Sequence, residues 1–272
     1  MFNSKQDNII SIKSLVKAAI YGYYSLFINK KTYKKVVFIL GHARSSSSLL
    51  THILTSNPKV IGYGESHIKY YTEDDFVKLA AQVHWKLRKP IRLNGDLLLD
   101  KMLFDFCLPN LDLLKSDKIY AIFLIREPCK SLRSIYNVRI KIHNDHRQEE
   151  VLKYYLNRLS TLEKYSKIIN SKHRSCFVTH DQLINETELV LEKLQKFLNL
   201  KHPLSEEYKI LPTTGKRGPG DWSDKIKTGQ IVRNNKSTGA GIEIQPELIE
   251  RGLQGFHKCY KTLSQHCTTL AD

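Results

Sequence analysis

Residues Gly41-His42-Ala43-Arg44-Ser45-Ser46-Ser47-Ser48-Leu49-Leu50 set one fixed cation and four consecutive hydroxyls where an apolar run gives way to a helical pattern. The run before them, Val36-Val37-Phe38-Ile39-Leu40, has the uninterrupted apolarity of a strand covered on both faces. A turn that ends such a strand and opens a helix presents the unpaired N–H groups of the first helical turn and the positive end of its dipole. Arg44 and the N–H and hydroxyl groups of Ser45, Ser46, Ser47 and Ser48 therefore read as a site for a doubly anionic group, against the plainer reading of a serine-rich helix cap. A nucleoside triphosphate suits it poorly. The GxxxxGK[ST] pattern counted from Gly41 needs Gly and Lys where the chain has Ser46 and Ser47.

Two more groups of residues have the chemistry of anion binding. Arg126 ends an apolar run, Tyr120 to Ile125, and Ser134 follows about two helical turns later. A helix folded back over the strand end would bring guanidinium and hydroxyl to one anion; a strand-end ion pair with Glu127 and a surface hydroxyl are the alternatives. Lys216-Arg217-Gly218 puts two cations and an open backbone N–H in a segment without periodicity, residues 211–241, of the kind that orders over a bound phosphate.

The elements that must position these groups alternate. Strands are predicted over 35–40, 60–63, 97–102, 120–126 and 176–180. Helices are predicted over 46–55, 74–87, 109–114, 129–142, 149–169, 188–198 and 246–263. This alternation predicts an α/β fold, a single domain over residues 36–272 with a central parallel sheet of about five strands flanked by helices. Arg126 then falls at the carboxyl edge of the sheet, where open α/β sheets bind ligands.

Bulk composition limits the partners. Forty-three Lys and Arg against 27 Asp and Glu give a net charge of +16, which suits a polyanionic ligand, nucleic acid or an anionic surface without choosing among them. No aromatic–basic interleaving supports nucleic acid. Five cysteines, an odd number without CxxC spacing, argue against a disulfide framework or a metal site, so reduced thiols and a cytoplasmic location are expected. Residues 1–35 carry seven Lys and one Asp around Ile9, Ile10, Ile12, Leu15, Val16 and Ile20. They read as a basic amphipathic helix that either packs on the domain or makes peripheral contact with an anionic bilayer. No run of eighteen uncharged apolar residues marks a transmembrane span.

Taken in order and spacing, Gly41-x-x-Arg44-Ser45-x-Ser47-Ser48, Arg126 with Ser134, and Lys216-Arg217-Gly218-Pro219-Gly220-Asp221-Trp222 resemble the sulfotransferases that use 3′-phosphoadenosine 5′-phosphosulfate (PAPS). The resemblance implies a P-loop-NTPase-like architecture and binding of the 5′-phosphosulfate at residues 44–48. It implies that Arg126, Ser134, Lys216, Arg217 and Gly218 hold the 3′-phosphate, with adenosine 3′,5′-bisphosphate (PAP) as product and no metal. The run Asn57-Pro58-Lys59-Val60 to Gly64-Glu65 is similar to a segment whose Glu is the catalytic base in several branches, which implies that role for Glu65. An ion pair of Glu65 with Lys69 is the alternative. Lys101 of an Asp100-Lys101 pair would face the sulfonyl or bridging oxygen, or else snorkel from a strand end. His180, in a segment where relatives have Tyr-Glu-Asp, is expected to serve sheet-end architecture.

Four positions depart from the family pattern. Ser46 replaces a Gly and is strained if φ is positive there. His42-Ala43 replaces a small residue and Pro, and Leu49 stands where one branch stacks a Trp on adenine. Acceptor selection is expected in residues 66–96 and 137–150. There Tyr70, Tyr71, His84 and Trp85 are candidates to stack on a ring, and Glu73, Asp74, Asp75, Asp145, Glu149 and Glu150 are candidates to receive a cation. The acceptor expected first is a small-molecule alcohol such as a bacterial secondary metabolite, then a sugar or glycolipid, then a protein tyrosine. A P-loop kinase or NTPase remains the reading from another class.

Overall fold

The computed structural model describes residues 35–88, 97–108, 110–215, 224–233 and 241–271, together with single positions between 15 and 33. Six strands form one sheet: β1 (Lys35–Gly41), β2 (Val60–Ile61), β3 (Leu97–Met102), β4 (Ile119–Ile125), β5 (Ser175–Thr179) and β6 (Thr268–Thr269). All pair in parallel, in the order β2-β3-β1-β4-β5-β6. The α-helices among the described residues are α1 (Ser47–Ser56), α2 (Asp75–Leu87), α3 (Pro128–His143), α4 (Gln148–Ile169), α5 (His180–Asn185), α6 (Thr187–Leu198) and α7 (Pro246–His266).

The α/β fold predicted from alternation is the one observed. The sheet has a sixth strand, β6, because two residues after α7 suffice to pair with β5; a two-residue strand has no periodicity to read. Where a helix is predicted over 109–114, residues 111–115 form a 3-10 helix. The apolar strands are covered on both faces, as their composition requires. Val36, Phe38 and Leu40 of β1 enter one core cluster with α2, α4 and α7, while Val37 and Ile39 enter the other with α1 and α6.

β1 lies between β3 and β4, so the chain leaves it toward one side for β2 and β3 and toward the other for β4. The carboxyl end of β1 is thus a topological switch point, the crevice where such sheets take ligands. Loop 42–46, Arg126 and the turn after β3 all open there.

The basic amphipathic helix expected over 1–35 lies almost wholly outside the described residues. Ile28 and Tyr33 are buried, and Tyr33 Oη hydrogen-bonds His84 on α2. No helix among the described residues is long and apolar enough to cross a membrane. All five cysteines are free thiols, four of them buried.

Candidate active site at the carboxyl edge of the sheet

The loop after β1 depends on the absence of a side chain at Gly41. A Cβ there would lie 2.8 Å from the Leu124 carbonyl and 2.9 Å from Ser45 Oγ. Two residues of the loop take positive φ, Arg44 at 66° and Ser46 at 76°. The strain anticipated at Ser46 is therefore present, and Ser46 does not cap α1 with its side chain. Its hydroxyl lies instead 2.7 Å from His180 Nδ1. The first-turn N–H groups of α1 have no side-chain cap and face the site, as an anion site at a helix N-terminus requires.

The two anion-binding groups read from separate stretches of sequence meet here. Arg126 Nη1 donates to the Arg44 carbonyl at 3.0 Å, and Arg44 Nε donates to Ser134 Oγ at 2.9 Å. Glu127 is not the partner of Arg126; its carboxylate accepts from the N–H groups of Cys129 and Lys130 and caps α3. Burial, followed by the neighbouring Arg44, opposes the Arg126 charge, while Asp181 supports it. Among the described residues four buried side-chain atoms have no hydrogen-bond partner, and two of them, Ser45 Oγ and Arg126 Nε, lie in this loop and strand end. Buried polar atoms left unspent at a cationic loop fit an anionic ligand that would use them.

Lys101 and Glu65 flank the other side of the loop. The two-residue period of β3 sends Asp100 and Lys101 to opposite faces. Lys101 Nζ, almost fully buried, lies 3.0 Å from Ser48 Oγ and 3.0 Å from Glu65 Oε1. Lys101 is thus neither snorkelling nor exposed, and Glu65 pairs with it where spacing also allowed Lys69. Gly64, at φ 120°, turns the chain from β2 into Glu65, and its carbonyl accepts from Lys101 N–H. On the opposite face Asp100 accepts from the Ser66 N–H at 3.0 Å, Ser66 Oγ at 2.6 Å, Tyr70 Oη at 2.7 Å and its neighbour's N–H at 2.9 Å. Burial raises its carboxyl to about 6 despite these donors. Asp100 fixes the segment that carries Glu65.

Two braces of the site, His42 and Arg158, were missed, and a third was expected only as sheet-end architecture. His42 is fully buried; its Nε2 accepts the Arg126 N–H at 3.0 Å, so its proton sits on Nδ1 and goes to the Ala43 carbonyl at 2.9 Å. Burial, with Arg126 and Arg158 nearby, lowers its pKa to about 4 and keeps it neutral. Arg158 of α4 donates to the Gly41 carbonyl and the Met102 carbonyl, both at 2.8 Å, and pairs with Asp105, tying the ends of β1 and β3 together. A signal existed: Arg158 interrupts the apolar stripe Val151, Tyr155, Leu162. The third brace is His180, lowered to about 4 by burial and then by Arg126.

Several acceptor candidates are not at the site. Tyr70 and His84 are buried in the core, Tyr70 in the segment before α2, where Asp100 holds it, and His84 on the face of α2 that packs inward, where Tyr33 holds it. Tyr71 and Trp85 are exposed. The acidic side chains serve structure: Asp75 accepts from the N–H groups of Tyr71 and Thr72, Glu73 pairs with Lys118, Asp145 with Arg139 and Arg147, and Glu149 with Arg251.

Lys216, Arg217, Gly218 and Trp222 lie outside the described residues. The described chain approaches them along α1, where Thr214 Oγ1 lies 2.7 Å from His52 Nε2 and Thr213 Oγ1 donates to the Tyr63 carbonyl at 3.3 Å. A cavity of about 540 Å³ at the far end of α1, lined by Ser56, Asn57 and Tyr208 among others, touches none of the site residues.

No protein-family model and no curated protein matches the chain. Solved structures do. One is a sulfotransferase domain from the curacin biosynthetic pathway, at 15% identity and TM-score 0.46, covering 76% of this chain and 95% of that one. Another is the sulfotransferase domain from the Synechococcus PCC 7002 olefin synthase, at 16% and 0.47, covering 83% and 95%. A third is retinol dehydratase in complex with androsterone and inactive cofactor PAP, at 10% and 0.49, covering 90% and 85%. Likeness at these values carries no functional assignment; the residues of the site must supply it.

Proposed function

We propose that the protein is a PAPS-dependent sulfotransferase acting on the hydroxyl of a small molecule. The observation that carries this reading is the contact of Arg44 with both Arg126 and Ser134, at 3.0 and 2.9 Å. Residues 82 and 90 positions apart converge on one loop, as a ligand with two anionic ends requires. A triphosphate site with a loop lysine has no counterpart here.

Arg44, the N–H groups at the start of α1 and the hydroxyls of Ser45 to Ser48 would hold the 5′-phosphosulfate end. Arg126 and Ser134, completed by Lys216, Arg217 and Gly218, would hold the 3′-phosphate and so orient the donor. PAPS supplies the activated sulfonate. Glu65, paired with Lys101, takes the proton of the acceptor hydroxyl. Lys101, bridging Ser48 and Glu65, faces the oxygen on which charge develops as the bond to the 5′-phosphate breaks. Its position beside the positive end of α1 makes it dependent on a neighbouring anion, which Glu65 provides before the donor arrives.

The test is transfer of labelled sulfate from PAPS to a panel of hydroxyl acceptors, beside calorimetric titration with PAP. Binding of PAP with transfer to at least one acceptor is expected. A chain that ignores PAP overturns the reading.

A further inference from the structure

We propose that the exposed rings of His67, Phe104 and Phe106 form the acceptor subsite, and that the acceptor is a flat aromatic ring carrying its hydroxyl directly, a phenol in the chemical sense. This rests on the sulfotransferase reading above.

The three rings form one ledge. Phe104 and Phe106 stack at a centroid distance of 5.5 Å and an interplanar angle of 16°, and His67 stacks on Phe106 at 6.4 Å and 22°. Phe104 is 38% and Phe106 50% exposed, and the His67 side chain 44%. The ledge starts beside the proposed base, with His67 Nε2 3.9 Å from Glu65 Oε2. Single exposed apolar side chains are ordinary, but a contiguous set of rings beside a carboxylate and a buried lysine has the composition of a ligand site.

The ledge is built, not incidental. Asp105, between the two phenylalanines, pairs with the buried Arg158 and pins the turn, leaving its neighbours outward. Tyr154 Oη accepts from the Ala43 N–H at 2.8 Å and donates to the Leu103 carbonyl at 3.3 Å, which ties this turn to the anion loop. His67 sits in the left-handed region at a φ of 56°. It is held there by Ser66, whose N–H and hydroxyl are fixed by Asp100 and whose Oγ accepts from the Ile68 N–H. A buried network thus sets the backbone that presents this ring beside Glu65.

Acidity selects the hydroxyl. A phenolic proton, whose pKa is ~10 as in tyrosine, passes to a carboxylate far more readily than that of an aliphatic alcohol. In the transfer, the phenolic oxygen forms a bond to sulfur and its proton goes to Glu65. The sulfur–oxygen bond to the 5′-phosphate breaks, and its electron pair leaves with PAP. The products are an aryl sulfate and PAP.

The experiment compares 2-naphthol, its saturated counterpart 2-decalol and methyl glucoside as acceptors from labelled PAPS, with PAP titration in parallel. Naphthol is expected to be preferred over decalol by about tenfold or more in kcat/KM, since ring stacking alone accounts for a factor of up to about ten. Phe104→Ala and Phe106→Ala should each raise the naphthol KM by about three- to tenfold, with kcat and PAP affinity unchanged, and Phe106→Tyr should restore KM. Both positions are exposed, so the melting temperature should stay within a degree or two of wild type. Transfer to decalol or glucoside as readily as to naphthol, or ring variants with unchanged KM, overturns the aromatic acceptor and leaves the donor reading standing. PAP binding without sulfation of naphthol does the same. Absence of PAP binding removes the donor reading, and the acceptor with it.

Discussion

The two halves of the site are built from different materials. The proposed donor half, residues 42–48 with Arg126, Ser134 and His180, is a set of buried and half-buried polar groups that hold one another. The acceptor half, Glu65 to His67 with Phe104 and Phe106, presents rings to solvent and draws its order from Asp100 beneath. The difference follows from what each half must do. A doubly charged nucleotide end needs donors aimed in advance, since reorienting dipoles during the reaction is costly. An uncharged acceptor needs surface, with only one proton acceptor placed with care.

The largest test separates chemistry from binding. Glu65→Gln should lower kcat by about 10²–10⁴, the usual worth of a positioned base, while PAP affinity holds. Arg44→Ala should lower kcat/KM by about 10²–10³, the range for one preorganised charge-stabilising donor, and also weaken PAP. If both variants lose PAP binding equally, the division into halves fails. Next, His42→Ala leaves the Arg126 N–H without its acceptor. It should destabilise the fold by about 1–3 kcal/mol and weaken PAP, whereas His42→Gln, which keeps an acceptor oxygen within reach, should recover much of both.

The halves should also answer acid in opposite senses. His42 and His180 are held at about 4 when folded against 6.5 for the free group. The unfolded chain therefore takes their protons first, and the stability they contribute is complete above pH 6.5 and lost as pH falls toward 4. Asp100, raised to about 6 from 3.8, works the other way: its ionised form burdens the fold above pH 6, and that burden is relieved as pH falls toward 4. Melting temperatures between pH 4 and 6.5 should fall more steeply with acid in Asp100→Asn than in wild type. Equal slopes would mean that Asp100 is not the opposing group. The smallest expected effect is Ser46→Gly. Relief of a positive φ gains about 1 kcal/mol, and loss of the hydroxyl contact with His180 removes about as much, so the melting temperature should hardly move. A gain beyond this would show that the His180 contact contributes nothing.

The contrast between the halves also explains what could be read in advance. The donor half was visible because its parts are local: Arg44 and four serines lie within one turn, and Ser134 follows Arg126 at helical spacing. Stacking candidates were chosen by residue type, which does not report burial. His84 falls on the face of α2 that the sheet covers and Tyr70 is buried in the segment before α2, while Phe104 and Phe106 lie at and in a 3-10 turn too short to show a pattern. Glu149, read as a candidate for a cationic acceptor, pairs with Arg251, 102 positions away, a partner that spacing does not show.

By itself the sequence determined the strand–turn–helix at residues 35–56, the parallel α/β order and a serine-rich loop without a lysine, because these depend on period, chirality and residue type along a short stretch. The tertiary structure alone decided that Arg126 touches Arg44, that Lys101 reaches Glu65, and that His42 and Arg158 are buried braces. Those contacts join positions up to 117 residues apart, and their geometry is set by how the sheet orders its strands, which no local pattern encodes.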